Sequence, residues 1–206
     1  MLQILRRAVW RLTRSEDMSM TTIAALICAV GTARDCETAA RIVATESAPG
    51  SAAGPGADFD FLHGDWIVSN RRLLGRLTGS NQWEAFESTN STCPLAGSIG
   101  NIEEYRTRHW DGFVGLSLRF LEPSSGNWSI HWIDNRGAVL QPPVRGRFID
   151  GIGTFEGADL LDGKPVQVRF IWSQTRSGAP RWEQAFSADA GRNWETNWTM
   201  QFNRKP

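Results

Sequence analysis

The 206-residue chain is short of cysteine, tyrosine and lysine, and neither sign of charge is in surplus. Its three cysteines, Cys28, Cys36 and Cys93, are too few for a disulfide scaffold, and no paired-cysteine zinc motif occurs. Only Cys93 lies in the part that can fold as a domain, so the expectation is three unpaired thiols with Cys93 half-buried. Were the chain exported and cut after Ala33, Cys36 could reach Cys93 through a flexible linker. Lys164 and Lys205 are the only lysines, and 22 basic residues balance 22 acidic ones. That balance leaves no positive field to hold a phosphate backbone, which sets nucleic acid aside as a partner. No apolar run approaches the roughly 20 residues of a membrane-spanning helix, so no integral membrane span is expected. His63, His109 and His131 form no His-x-His pair and flank no helical glutamate, so no metal is expected. Gly151-Ile152-Gly153 lacks the strand-to-helix unit of a dinucleotide loop, and Cys93 has no basic neighbour to make it a nucleophile. Tryptophan is the residue in excess, ten against a single tyrosine. With 41% hydrophobic and 21% charged residues, the composition is that of one globular domain plus a tail.

Residues 1–58 differ in kind from the rest. Arg6, Arg7, Arg11 and Arg14 interleave with Leu2, Ile4, Leu5, Val9 and Leu12, as in a basic amphipathic helix or the charged start of a signal peptide. An apolar stretch from Ile23 to Ala33 ends in a small-x-small site. Glu16 and Asp17 oppose the signal reading, and Met18 and Met20 offer other starts, so an exported or periplasmic location and a cytoplasmic one stand equally. Ser47 to Asp58 is an Ala/Gly/Pro linker with little to bury, giving a disordered or signal-like segment over 1–58 and a folded domain over 59–206.

From Phe59 the chain reads as strands and turns. Ten candidate strands fall at about Asp65–Leu74, Trp83–Thr92, Asn101–Arg108, Val114–Leu121, Trp128–Asp134, Val144–Asp150, Thr154–Leu160, Val166–Gln174, Arg181–Ser187 and Trp194–Asn203. Turn signals such as Asp111-Gly112, Asp162-Gly163 and Ser177-Gly178 separate them. No segment keeps a helical period for ten residues, so parallel crossovers lack their helices and the connections must be hairpins. The expected fold is all-β, an antiparallel up-and-down barrel of about eight to ten strands, because a sheet this wide must hide its edges; a two-sheet sandwich is the alternative.

Phe59-Asp60-Phe61-Leu62-His63-Gly64-Asp65-Trp66 resembles the opening of calycin barrels of the lipocalin and nitrobindin type, in which a short turn closes the floor and Gly-x-Trp begins the first strand. The resemblance implies that Arg204 packs over Trp66. Arg181-Trp182-Glu183-Gln184-Ala185-Phe186-Ser187 and Trp194-Glu195-Thr196-Asn197-Trp198 are similar to uncharacterised bacterial proteins of this domain size, which implies a calycin-like fold and no particular activity. Ser187-x-Asp189-x-Gly191-x-x-Trp194 also resembles the Asp-box of sialidase propellers. One copy cannot build a propeller, so the motif is read as a hairpin turn in which Asp189 binds backbone N–H groups.

That turn predicts a register of Phe186 against Trp194, Gln184 against Thr196 and Trp182 against Trp198. Large apolar residues then share one face: Leu116, Leu118 and Phe120; Trp128, Ile130 and Trp132; Val166, Val168, Phe170 and Trp172. Ser117 and Arg119, Ser129 and His131, Arg169, Glu183, Glu195 and Asn197 occupy the other. The expectation is the apolar face inside and the charges solvated, with Trp172, Trp182, Trp194 and Trp198 lining a space for a small hydrophobic ligand. The opposite arrangement would have Arg119 and Arg169 clamp a carboxylate, Glu183 and Glu195 pair with them, and Asn197 and His131 orient the ligand. It would leave a Trp band outside for a partner subunit, as in a homodimer, or the N-terminal segment to cover.

Three functions follow. The first is a barrel that binds a hydrophobic or carboxylate-bearing amphiphilic small molecule without a cofactor. The second is an isomerase, cyclase or hydrolase in which Glu183 and Glu195 act as acid and base with Arg169. The third is a module that binds protein or polysaccharide. A haem site would need one inward-facing histidine, for which His131 is the candidate.

Overall fold

The computed structural model describes residues 55–95 and 99–206. The signal-like segment, most of the linker, Cys28 and Cys36 lie outside the described residues. The chain divides into two units, Met1–Thr38 and Ala39–Pro206, and the barrel belongs to the second.

Two 3-10 turns, Pro55–Ala57 and Asp60–Leu62, precede ten strands. These are β1 (Gly64–Leu73), β2 (Trp83–Pro94), β3 (Gly100–Thr107), β4 (Phe113–Glu122), β5 (Asn127–Asp134), β6 (Val144–Ile149), β7 (Ile152–Leu161), β8 (Lys164–Ser173), β9 (Arg181–Ser187) and β10 (Glu195–Arg204). Each pairs antiparallel with its sequence neighbours, and β10 returns to β1, so the sheet closes into an up-and-down barrel. Closure gives every strand two partners and leaves no edge, which is the physical reason for preferring a barrel to a sandwich. A closed ten-strand antiparallel barrel is compatible with a calycin-like fold. Hairpin chemistry follows the sequence closely: at Asp162-Gly163, between β7 and β8, both residues take positive φ (50° and 75°), as a two-residue turn matched to strand twist requires.

The floor of the barrel is built from the opening motif. Trp66 is buried and donates its indole N–H to the Leu62 carbonyl at 2.7 Å, tying β1 to the 3-10 turn. The Arg204 guanidinium lies 3.9 Å from the Trp66 ring centroid, the packing that the Gly-x-Trp resemblance implied, worth about 0.5–2 kcal/mol as a cation–π contact. Gly64 is required there: its φ is +101°, and a Cβ would stand 2.8 Å from the Arg204 guanidinium. Phe59 plugs the same end, edge-on to Trp128 and Phe148 at 4.9 Å and stacked on Phe155 at 5.7 Å.

Three details correct the sequence reading. β9 pairs with β10 as Phe186–Glu195, Ala185–Thr196, Gln184–Trp198 and Trp182–Met200, with a bulge at Asn197. The expected pairing fails because the Trp194 indole bonds to Gly191 O at 2.9 Å within the turn, so the strand begins one residue later, and Asn197 then takes up an extra position. Second, β4 is reversed: Ser117 and Arg119 point inward, and Leu116, Leu118 and Phe120 outward. The outward side is itself covered here, with Leu118 at 0% and Ile102 at 5% exposure, so those apolar side chains are buried without entering the barrel. Third, Cys93 is buried and disulfide-bonded rather than an unpaired thiol.

Candidate functional site

Strand alternation gives the interior two different walls. From β5 and β8 to β10, the inward residues are Trp128, Ile130 and Trp132, then Val168, Phe170 and Trp172, then Trp182, and then Trp198, Met200 and Phe202. From β2 to β4 they are Ser88, Asn90 and Thr92, then Asn101, Glu103 and Tyr105, then Ser117 and Arg119. Between the walls lies a cavity of about 450 Å³, at the end away from the Phe59 plug, with Trp110, Phe113, Asp134, Arg136, Pro142 and Asp159 around its mouth. That volume falls in the range of small-molecule sites.

The polar wall is largely hydrogen-bonded to itself, with Asn90 Nδ2 and Arg119 Nε buried and left without a partner. The Arg119 Nη1 donates to Asn101 Oδ1 at 2.9 Å, and Nη2 to Glu103 Oε2 at 3.1 Å, with the two side chains 3% and 6% exposed. Thr92 Oγ1 also donates to Glu103 at 3.4 Å. The guanidinium sits between aromatic rings, 5.2 Å from Phe59 and 5.8 Å from Trp172. A buried charge is tolerable only when paired in this way. Asn70 forms a second knot: its Nδ2 donates to Ser88 Oγ at 2.9 Å, and its Oδ1 accepts from Trp198 Nε1 at 3.1 Å and Tyr105 Oη at 3.5 Å. Burial pushes the Tyr105 phenol well above its ordinary value, so it stays a neutral donor.

Nearer the mouth, Arg72 donates Nε to Glu84 Oε1 at 2.7 Å, while Glu84 Oε2 meets His109 Nε2 at 2.9 Å. Burial would raise the Glu84 carboxyl, but His109 and Arg72 together hold it below its ordinary value. The His109 ring stacks on Phe86 at 4.3 Å, and Arg72 lies 4.6 Å over Trp110 and 5.8 Å over Trp198.

The residues singled out from sequence separate into two groups. Arg119, Trp172, Trp182 and Trp198 line the cavity together. Asn197 is buried at the bulge and accepts from cavity-lining Gln184 at 2.8 Å. Arg169, between inward Val168 and Phe170, projects from the outer face, 4.2 Å over Trp194 and 4.0 Å from Glu156. Glu183 is also outside and pairs with Arg181 at 2.9 Å. Glu195 shares the inner face with Phe186 at the strand end, and its carboxylate accepts the Leu77 N–H at 2.6 Å. Glu183 and Glu195 therefore stand on opposite faces of the sheet. His131, between inward Ile130 and Trp132, lies on the outer face beside Phe120, where burial and then Arg145 lower its pKa. The outer tryptophans Trp83 and Trp194 carry Arg71 and Arg169 over their rings.

Sequence reasoning missed Arg72, Glu103 and Tyr105. The signal for Arg72 was present, since period-two counting from Trp66 through Val68 and Asn70 reaches it. Among the described residues, no group of three or more His, Cys, Asp or Glu could hold a metal ion, and no helix is long and apolar enough to cross a membrane. Comparison with known proteins finds no matching family model and no matching curated protein.

Proposed function

We propose that this protein is a calycin-like binding barrel, akin to bacterial barrels of that type, that holds a small hydrophobic or amphiphilic molecule with an acidic or otherwise polar end. The observation that carries the reading is the cavity of about 450 Å³ between an aromatic wall and a polar one. Apolar lining supplies affinity through area removed from water, at about 25 cal/mol per Å², while a few convergent polar groups fix orientation. The interior is largely pre-formed: most of the polar wall is hydrogen-bonded to itself, so little must reorganise on binding. An enzyme built on Glu183, Glu195 and Arg169 has less support, because the two carboxylates have no common space in which to share a substrate. An outward tryptophan surface for protein or polysaccharide has less too, since Arg71 and Arg169 already cover Trp83 and Trp194.

The test is a tryptophan-fluorescence titration of the full-length protein with carboxylated amphiphiles, their uncharged analogues and hemin. Trp110, Trp132, Trp172, Trp182 and Trp198 line the cavity, so an occupant must perturb several emitters. Saturable quenching or a spectral shift supports the carrier reading. No response across the panel refutes it.

A further inference from the structure

We propose that Arg72 receives the acidic head of the ligand, at the mouth of the barrel, with the apolar body running inward past Trp198, Phe170 and Met200. The inference rests on the carrier reading and assigns the polar contact within it.

The cations of the cavity differ in what they have left to give. Arg119, the deepest, spends Nη1 on Asn101 and Nη2 on Glu103, and only its buried Nε is without a partner. A ligand carboxylate gripping two of its nitrogens would have to displace Asn101 or Glu103, and losing Arg119 would strand Glu103 as a buried charge. Arg136 lies on an exposed turn, and its Nη2 is engaged by the Asp111 carbonyl at 3.2 Å. Arg72 is different. Among the described residues its side chain makes one hydrogen bond, from Nε to Glu84, and neither Nη nitrogen donates to any acceptor. The two Nη groups form the end-on fork that matches the two oxygens of a carboxylate.

Position and orientation suit that role. Arg72 continues the inward series Trp66, Val68 and Asn70 and pairs across the sheet with Trp198 on one side and Glu84 on the other. Its side chain is 27% exposed, so it is reachable from the mouth yet less screened than a surface arginine. Trp110 and Trp198, with ring centroids 4.6 Å and 5.8 Å from its Cζ, hold the guanidinium in place, and the Glu84 contact limits rotation about the stem. Glu84 also contacts His109, through its other carboxylate oxygen. Arg72 is thus a held cation, ion-paired through Nε, whose Nη fork is open.

The experiment is isothermal titration calorimetry of the full-length protein with decanoate and methyl decanoate. The ester is the more apolar probe and would bind more tightly if burial alone decided, so a preference for the acid runs against that trend. Wild type is expected to prefer decanoate. Arg72→Gln is expected to weaken decanoate by roughly 10- to 100-fold, the range of a lost charged hydrogen-bond pair, and to leave the ester within about twofold. Arg72→Lys keeps the charge without the fork and is expected to fall between; it decides the matter if near-UV circular dichroism shows Arg72→Gln unfolded. Equal wild-type affinity for acid and ester, or unchanged decanoate affinity in the folded variants, overturns the assignment and leaves the carrier reading standing. Absence of binding by either probe to wild type removes the assignment and counts against the carrier reading as well.

Discussion

Replacing Glu103 by Gln removes the partner of a cation that has almost no contact with solvent. Arg119 and Glu103 are 3% and 6% exposed, so water cannot take over the lost charge, and the guanidinium is left with neutral amide oxygens alone, from Asn101 and the introduced glutamine. Breaking one side of such a pair costs about 3–5 kcal/mol. For a domain of this size, 1 kcal/mol moves Tm by about 2–4 °C, so the expected fall is roughly 6–20 °C. Arg119→Met alone should cost a similar amount, because it leaves Glu103 as a buried anion with only Thr92 to donate to it. The double variant Glu103→Gln/Arg119→Met should cost much less than the sum, since it removes both charges and keeps the volume. Urea denaturation followed by tryptophan emission gives the three free energies from one cycle. Single-variant losses below about 1 kcal/mol, or an additive double variant, would refute the argument that this pair is a desolvated unit.

Three further outcomes are expected. Gly115→Ala places a Cβ 2.1 Å from the Trp132 ring, so the indole must move into the cavity; the variant should lose about 1–3 kcal/mol and bind amphiphiles more weakly, read by thermal melting and titration. His131 and His63 both have pKa values lowered chiefly by burial, so the unfolded chain takes up protons before the folded one as pH falls below about 6.5. Stability should therefore decline from there toward the lower folded-state values, and His131→Gln should flatten that decline in urea midpoints measured between pH 7 and 5. Asp189 is drawn down to about 2 by hydrogen bonds from the Asn193 backbone and side chain and from Ser187, so Asp189→Ala should lower Tm by loosening the β9–β10 turn while sparing ligand affinity. Equal loss of affinity and Tm in that variant would contradict a purely structural turn.

Much of the fold was legible because β-structure writes its period and its punctuation into sequence. Alternation marked all ten strands, and pairs such as Asp162-Gly163 marked turns whose backbone few other residues accept. Registers that depend on an irregularity were not legible. A bulge adds one residue without a local signature, and Asn197 looks like any polar strand residue until Gln184 stands opposite to bond it. Nor does alternation say which of two faces is inside. In β8 the apolar set Val166, Val168, Phe170 and Trp172 turns inward, whereas in β4 the equivalent set turns outward, because Arg119 finds its partners on β3. Arg72 was obscured for a related reason: Arg71 beside it projects to the opposite face, and two adjacent arginines read as one solvated patch.

These departures from simple patterning converge on the candidate site. A barrel with every apolar face inward could fill its centre with side chains, as small barrels do. Turning β4 over brings Arg119 and Ser117 into the interior beside Glu103 and Asn101, and such groups cannot close onto the opposite tryptophans without losing their own hydrogen bonds. The two walls are thus held apart by chemistry, one by its buried ion pair and the other by interlocked rings such as Trp182 against Phe170 at 5.0 Å and against Trp198 at 6.0 Å. What survives between them is a space apolar on one side, charge-balanced at depth and carrying at its entrance an arginine whose Nη fork is open. Such a space suits a molecule with a long apolar body and one polar end better than a wholly apolar or multiply charged one.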